Sequence, residues 1–586
     1  MPPRDWRAAG GMVQVEVSQA LERLLAEAAA HESAGGRGAA QNLFLQVLRR
    51  DPANVTARFG LARQLLGNDR LADGIAQLRR VLKHAPGLAP IHAALGRALR
   101  RSGDLAGAAA ALTEAIRLDP AETTPYCDLA ACQRALGRAV LAEATLRQAL
   151  AHCGERASLL GNLGIVLAER GQRAAAIEAL ARALILEGDS GPAAALLHGN
   201  LAKAHVGAGD VAAGERHYRA AVAALPDFAD AHHNLGILLK SLGRTAEAAA
   251  AFDTALRLTR ASRWIDAAAP ERRDRSANFT TTTEAKLVHD IEQFHYLSAL
   301  GRLPPAFRPT IARFEAGLAE LRGAKHDGRI VPLPAGIAEL EPQAYGRLVH
   351  LAPAPALAES PLNPALDGAA IEAAYFANPP GLAAIDDFLT AEALASLRRF
   401  CLESTIWFDF SHPGGYLGAY MDDGFCCGLL LQIAEDLRRR FPAVFRDHAL
   451  KQMWAYKYDS RLTGIATHAD AAAVNVNFWI TPDAANLDPA GGGLEVHMRE
   501  APAEWDFAEY NGDDARIRAF LERHGVACTV IPHRQNRAVM FNSNLFHQTG
   551  RFHFKPGYEN RRINVTMLFG DRLAPAVPPT ARRAEG

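Results

Sequence analysis

The sequence predicts a multidomain α + β chain, with an all-α superhelix in the first half and a barrel or jelly roll with flanking helices in the second. Three observations predict it. A spacing of 34 residues recurs through the first half. Apolar periodicity changes from about 3.6 to 2 after residue 450. At 586 residues the chain is too long for one core.

The repeat comes first. Pro52, Pro86 and Pro120 are 34 residues apart, and Leu61, Leu95, Leu129 and Leu163 keep the interval. After an insertion of four residues, Leu201 and Leu235 resume it. Gly103, Gly137, Gly171, Gly209 and Gly243 mark one turn per unit, so each unit reads helix, Gly turn, helix, Pro-containing turn. Five residues after each turn glycine stands a small residue: Ala108, Ala142, Ala176, Gly214 and Ala248. Two helices must approach closely there. A hairpin this short cannot bury its apolar stripe alone, so neighbouring hairpins must stack.

The period, the Leu-Gly pairs (95–96, 163–164, 235–236) and the turn prolines resemble the tetratricopeptide repeat family, over roughly residues 15–259. The resemblance implies about seven helical hairpins within residues 1–260 and an extended peptide bound in their groove. Asn162, Asn200 and Asn234 occupy one position in successive units. An amide can donate and accept at once, which suits a peptide backbone, so these three are candidate peptide-binding residues. Pairing of each Asn within its own repeat is the competing expectation.

Residues 261–383 read as a joint. "AAAPERRDRSANFTTTT" breaks the period, and Leu287, Ile291, Phe294 and Leu297 then mark one face of a helix with Thr283 as N-cap. That helix is expected to cover the end of the array. The stretch 326–380 is rich in Pro and Ala and predicts little regular structure. His289, His295, His326 and His350 read as structural or solvated. "GLAAIDDFLTAEALASLRRFC" restarts the fold with a strand, Thr390 as cap and an amphipathic helix.

Residues 384–572 carry the strands: "KQMWAYKY", "AVNVNFWI", "GGGLEVHM", "VACTVIPH", "NRAVMFNS" and "RRINVTMLFG", with a helical insertion at 500–525. Residues 573–586 read as a flexible tail. His468-x-Asp470 sits at the lip of one apolar strand, His547 follows another, and Arg562 opens the last with Asn564 two residues on. A lone His-x-acid pair means little, since chance supplies about two in such a chain. Two imidazoles and a carboxylate on one side of a metal are different: they leave positions open, as non-haem Fe(II) and O₂ require. An arginine adds a fork for a carboxylate. His553 and His497 are rival ligands, and His547 is preferred because His553 lies in a loop nine residues before Arg562. Alternation puts Arg561 on the opposite, core-like face.

These residues resemble the Fe(II)- and 2-oxoglutarate-dependent oxygenases, whose core is a double-stranded β-helix. The resemblance spans about 384–571, and "NFWITPDAANLDPAGGGLEV" looks like a bacterial subgroup fused to tetratricopeptide repeats. It implies that His468, Asp470 and His547 bind Fe(II) and that Arg562 binds the 5-carboxylate of 2-oxoglutarate. The resemblance also implies O₂ as the oxidant and admits ascorbate as an auxiliary reductant. Asn564 stands where that family carries Ser or Thr. Tyr456, Tyr458, Asn475 and Asn477 are further candidates for contact with the cosubstrate. Retention of Asp470 favours hydroxylation over halogenation. The implied activity is hydroxylation of a protein or peptide side chain recruited by the repeats. The alternatives are a non-catalytic scaffold with a sensing barrel, and a small-molecule hydroxylase.

Composition fits this reading. Lys+Arg and Asp+Glu both total 64, so no basic field for nucleic acid is expected. Seven cysteines without C-x-x-C predict reduced thiols, and no apolar run suggests a signal or membrane span, so a cytoplasmic location is expected.

Overall fold

The structure is a computed structural model that describes residues 6–269, 277–324, 330–412, 416–445, 448–459 and 464–572. His326 and the C-terminal tail 573–586 lie outside the described residues. The chain forms two compact units, Met1–Pro226 and Asp227–Gly586.

The helical array runs from α1 (Trp6–Ser33) and α2 (Arg37–Arg50) through α3 (Val55–Gly67), α4 (Leu71–His84), α5 (Ala89–Arg101), α6 (Leu105–Leu118), α7 (Thr124–Ala135), α8 (Ala139–Cys153), α9 (Ala157–Glu169), α10 (Arg173–Glu187), α11 (Gly191–Gly207) and α12 (Val211–Ala224). The second unit opens with one more hairpin, α13 (Ala229–Ser241) and α14 (Thr245–Arg260). The turn glycines have the expected reason: Gly103, Gly137, Gly171, Gly209 and Gly243 all adopt φ between 72° and 88°. A side chain there would be strained. The small residues five positions on are buried, and Ala108, Ala142, Ala176 and Ala248 have no exposed surface. The close approach also falls on the Leu-Gly pairs. A Cβ on Gly96 would stand 2.5 Å from Leu112 Cγ, and one on Gly164 would stand 2.5 Å from Leu180 Cγ.

In the second unit, α15 (Glu284–Ala299) is capped by Thr283, whose hydroxyl accepts from Lys286 N, and α16 (Arg308–Gly323) follows. The apolar face of α15 packs against Phe307, Ile311, Phe314, Ile337 and Tyr345 in a core of its own. Its polar face is buried too: Gln293 Nε2 donates to Leu402 O and Ser404 O at the end of α17 (Ala391–Glu403). His289 on the same helix is fully buried, so of the four middle histidines it is structural. Residues 326–380 contain two short helices, Ala335–Leu340 and Gly368–Ala377, and a two-residue strand, Val331–Pro332, paired with Thr281–Thr282, and are otherwise irregular where described.

The C-terminal strands are β1 (Leu382–Ile385), β2 (Leu417–Tyr420), β3 (Leu450–Tyr458), β4 (Val474–Trp479), β5 (Leu494–Glu500), β6 (Cys528–Ile531), β7 (Ala538–Asn542), β8 (Leu545–Thr549) and β9 (Arg562–Phe569). They form two open antiparallel sheets, a six-stranded one ordered β1-β7-β4-β9-β3-β2 and a three-stranded one ordered β8-β5-β6. Leu382, Trp479, Val539 and Phe541 from the first pack with Leu494, Val496, Ile531 and Leu545 from the second in one core. The β7–β8 connection carries the chain from one sheet to the other. The insertion is helical as expected, at Phe507–Asn511 and Asp514–Arg523. His547 follows β7 as expected, and it also lies inside a further short strand, β8, that the sequence did not show.

Candidate metal centre

His468 and His547 are brought together by backbone, not by chance of side-chain length. His468 N donates to His547 O at 3.0 Å and His547 N to His468 O at 2.8 Å, an isolated antiparallel bridge between the loop before β4 and β8. Asp470 N donates to Ser543 O at 3.0 Å, which fixes the carboxylate two residues on. One ligand atom from each of His468, Asp470 and His547 lies within 4.8 Å of the others, and no other such group of three occurs among the described residues.

The tautomers are set by the backbone. His468 Nδ1 lies 2.9 Å from Ala466 O, and His547 Nδ1 lies 3.0 Å from Leu545 O. Donation to a carbonyl places the proton on Nδ1 in both rings and leaves each Nε2 lone pair free. Those two Nε2 atoms face the carboxylate, at 3.9 Å from Asp470 Oδ1 and 3.5 Å from Oδ2. Burial and the neighbouring His547 depress the His468 pKa to about 4, which keeps that ring neutral. Burial alone would raise Asp470, but His547, His468 and the Asn475 amide outweigh it and hold the carboxyl below its ordinary range. A neutral His468 imidazole and an ionised Asp470 carboxylate are the states a divalent metal needs.

From Asp470 a line of hydrogen bonds crosses the sheet. Asn475 Nδ2 donates to Asp470 Oδ2 at 2.6 Å, and Asn477 Nδ2 donates to Asn475 Oδ1 at 2.7 Å. Asn477 Oδ1 accepts from Thr566 Oγ1 at 2.7 Å and Asn564 Nδ2 at 3.3 Å. Asn564 Oδ1 accepts from Arg562 Nη1 at 3.2 Å. The register makes this possible, because Asn477 pairs with Thr566 and Trp479 with Asn564 across β4 and β9. Period 2 then places 475, 477 and 479 on the face shared with 562, 564 and 566.

Arg562 is 2% exposed and has no carboxylate partner among the described residues. Its Nε donates to Gly492 O at 2.6 Å and its Nη2 to Gly493 O at 3.3 Å, while its guanidinium carbon sits 4.9 Å from the Tyr458 ring. The glycine run has a steric cause here: a Cβ on Gly493 would collide with Ile531 O. Five N–H groups are available, and three are used by neutral oxygens. A buried guanidinium with spare donors and no counter-ion fits an anionic ligand. Trp479 adds a second orphan, since its Nε1 is buried without a hydrogen-bond partner and its ring centre lies 6.0 Å from the guanidinium carbon.

His468, Asp470, His547, Asn477, Trp479, Arg562 and Asn564 all line one cavity of about 650 Å³. Of the other candidates, Tyr456 lines it, Tyr458 backs Arg562, and Asn475 acts through Asp470. Arg561 points elsewhere, to Glu292 at 2.7 Å, and His553 is exposed. Alternation also put Thr566 on this face; sequence reasoning missed Trp479, legible from the same alternation, and a wall of rings at His412, Tyr416, Tyr420 and Trp454. In the array, Asn162 and Asn234 each donate to a carbonyl one turn back in their own helix, Ser158 O and Asp230 O, and Asn200 is half-buried.

The tetratricopeptide repeat profile matches residues 25–89, 93–158 and 200–263, so the N-terminal region is built of tetratricopeptide repeats. Among solved structures, the chain is similar to the APC/C hetero-tetramer Cut9–Hcn1, at 18% identity and TM-score 0.34, covering 40% of this chain and 45% of that one. It therefore spans under half the length of that relative. It is also similar to a tetratricopeptide repeat protein from Parabacteroides merdae ATCC 43184, at 14% identity and TM-score 0.37, covering 41% of this chain and 94% of that one. The chain is similar as well to YrrB, a TPR protein with an unusual peptide-binding site, at 20% identity and TM-score 0.25, covering 31% of this chain and 92% of that one. No curated protein matches the chain. No helix among the described residues is long and apolar enough to cross a membrane.

Proposed function

We propose that residues 384–572 form an Fe(II)- and 2-oxoglutarate-dependent dioxygenase of the double-stranded β-helix type, which hydroxylates a protein or peptide side chain recruited by the repeats. The two facing sheets support the fold assignment, and residues 261–383 connect it to the array. His468, Asp470 and His547 hold the iron, and Arg562, assisted by Asn564 and Trp479, holds the distal carboxylate of 2-oxoglutarate. When bound, iron and 2-oxoglutarate supply the activation of O₂ and the oxidation of a C–H bond. The chain supplies the rest. Ala466 O and Leu545 O hold the two imidazole protons away from the metal side. Asn475 fixes one oxygen of Asp470. The Asn477–Asn564–Thr566 cluster sets the guanidinium at a constant distance from that carboxylate.

One observation carries this reading: a three-donor cluster and an unpaired, buried guanidinium line the same cavity. Either alone is a common structural feature; together they match a ligand with a chelating end and an anionic end. A cytoplasmic location belongs to the same reading, and all seven cysteines are free thiols. The test is succinate release with Fe(II), 2-oxoglutarate and O₂ by the wild type, His468→Ala and Arg562→Ala. Release by the wild type alone supports the dioxygenase. No iron-dependent release, with or without peptides, favours the non-catalytic scaffold. Turnover of a free metabolite that survives deletion of residues 1–260 favours the small-molecule hydroxylase.

A further inference from the structure

The triad cavity has a second side. Beside the polar strip, on the same face of the sheet, Tyr456 pairs with Asn564 and Trp454 with Thr566, and Tyr420, Tyr416 and His412 continue this lining. His412 stacks on Tyr416 with ring centres 4.4 Å apart, and Tyr416 meets Tyr456 at 4.8 Å. The hydroxyls of Tyr420 and Tyr456 are 3.0 Å apart, so the wall is hydrogen-bonded as well as packed. Such ring faces carry negative charge density and attract cations.

Behind Tyr420 lies another cavity, of about 560 Å³, formed by the last repeat hairpin and the segment after β2. Tyr420 and Gln452 line both cavities and form their common wall. Its charged lining is Asp230, Arg260, Asp409, Asp422 and Asp423. Arg260 is already satisfied: Asp423 accepts from its Nε and Nη2, each at 2.6 Å, and Phe408 covers it at 3.9 Å. Asp409 is held by His412 Nε2 at 2.8 Å and by Ser411. Lys240 is the nearby cation, and it donates to Gln452 Oε1 at 3.3 Å. Asp423 is thus taken by Arg260 and Asp409 by His412, which leaves Asp230 and Asp422 in the lining, with Lys240 nearby. The surplus is negative, and the way from it to the triad is lined by rings.

We propose that this second cavity receives the Lys or Arg side chain of a peptide substrate, whose neighbouring residue passes Tyr420 into the triad cavity. It rests on the reading of the triad cavity as an oxygenase site. A single ring separates the two compartments, a span on the order of two residues of extended chain. Two adjoining volumes of this size suit two side chains of one backbone better than one free amino acid.

The experiment passes a degenerate octapeptide library over the immobilised full chain, then measures fluorescence anisotropy with labelled versions of the selected sequences. Each selected Lys is compared with norleucine, which keeps the stem and removes the charge. Enrichment of Lys or Arg, at least about tenfold tighter binding than norleucine, and loss of that preference in Asp230→Asn/Asp422→Asn are expected. Equal binding of norleucine or Glu peptides, no selected sequence at all, or a preference that survives the double variant overturns the proposal. Displacement by free lysine at equal concentration overturns the peptide assignment. Metal-dependent 2-oxoglutarate binding, measured on the same samples, separates the two readings. Its absence beside an intact Lys preference removes the oxygenase alone, and its presence without that preference removes the cation site alone.

Discussion

Asn475→Ala removes the first link between the carboxylate and the rest of the polar strip. Asn475 has no exposed surface, and its Nδ2 donates to Asp470 Oδ2 at 2.6 Å. A hydrogen bond to a charged group contributes about 1.5–3 kcal/mol, so Asp470 loses about that much restraint on its orientation. The same change strands the Asn477 Nδ2 donor, which now reaches Asn475 Oδ1 at 2.7 Å. A buried unpaired donor costs about 1–3 kcal/mol of stability. Outer-shell partners of metal ligands typically alter metal affinity by about 10–100-fold, and a loss in that range is expected here. The assay is competition for Mn(II) or Fe(II) against a fluorescent chelator, under argon, beside urea unfolding of the metal-free protein. Metal affinity within twofold of the wild type would refute the claim that Asn475 orients a ligand, even if stability fell.

Three further outcomes follow from the geometry. Arg562→Lys keeps the charge but loses the fork that spans Gly492 O, Gly493 O and Asn564 Oδ1, so 2-oxoglutarate binding should weaken by at least about tenfold while metal affinity is retained; calorimetry with both ligands checks it. Gly96→Ala gains about 1 kcal/mol of helix propensity, but its Cβ meets Leu112 Cγ at 2.5 Å and Ala108 O at 3.2 Å, so net destabilisation of about 1–3 kcal/mol is expected in urea. His533 is buried with neither ring nitrogen hydrogen-bonded, and burial, with Arg562 and Arg537 nearby, depresses its pKa to about 3. Its folded value lies below the unfolded one of about 6.5, so only the unfolded chain takes up a proton between those values. Stability should therefore be full above about pH 6.5 and fall as pH drops, by about 2 kcal/mol between pH 7 and 5. His533→Phe should remove that part of the slope in unfolding measurements.

The helical array was legible because its signals are local. A Gly turn, a Leu-Gly pair and a proline recur at fixed offsets, and each has a steric cause that one hairpin contains, as Gly96 against Leu112 shows. The strand set was legible wherever alternation ran long enough. β8 (Leu545–Thr549) and β2 (Leu417–Tyr420) were not read. At the site, residue types and faces could be read: His468, Asp470, His547 and Arg562 do line one cavity, and Arg561 is turned away. The direction of each amide could not. Asn475 serves Asp470, not a ligand, because register places Leu568 opposite it and leaves the carboxylate as its acceptor. The pairing of Asp409 with His412, and the meeting of β2 with the last repeat hairpin, depend on contacts between distant segments that no local pattern encodes.

The most direct measurement is anaerobic titration of Fe(II) and then 2-oxoglutarate into the full chain, followed by absorption spectroscopy and metal analysis. The account predicts one ferrous ion per chain and a visible band that grows only when the keto acid is added. It also predicts loss of the ion in His468→Ala and His547→Ala, and loss of the band alone in Arg562→Ala. Full metal occupancy in both histidine variants, or a wild type that takes up no iron, would contradict it.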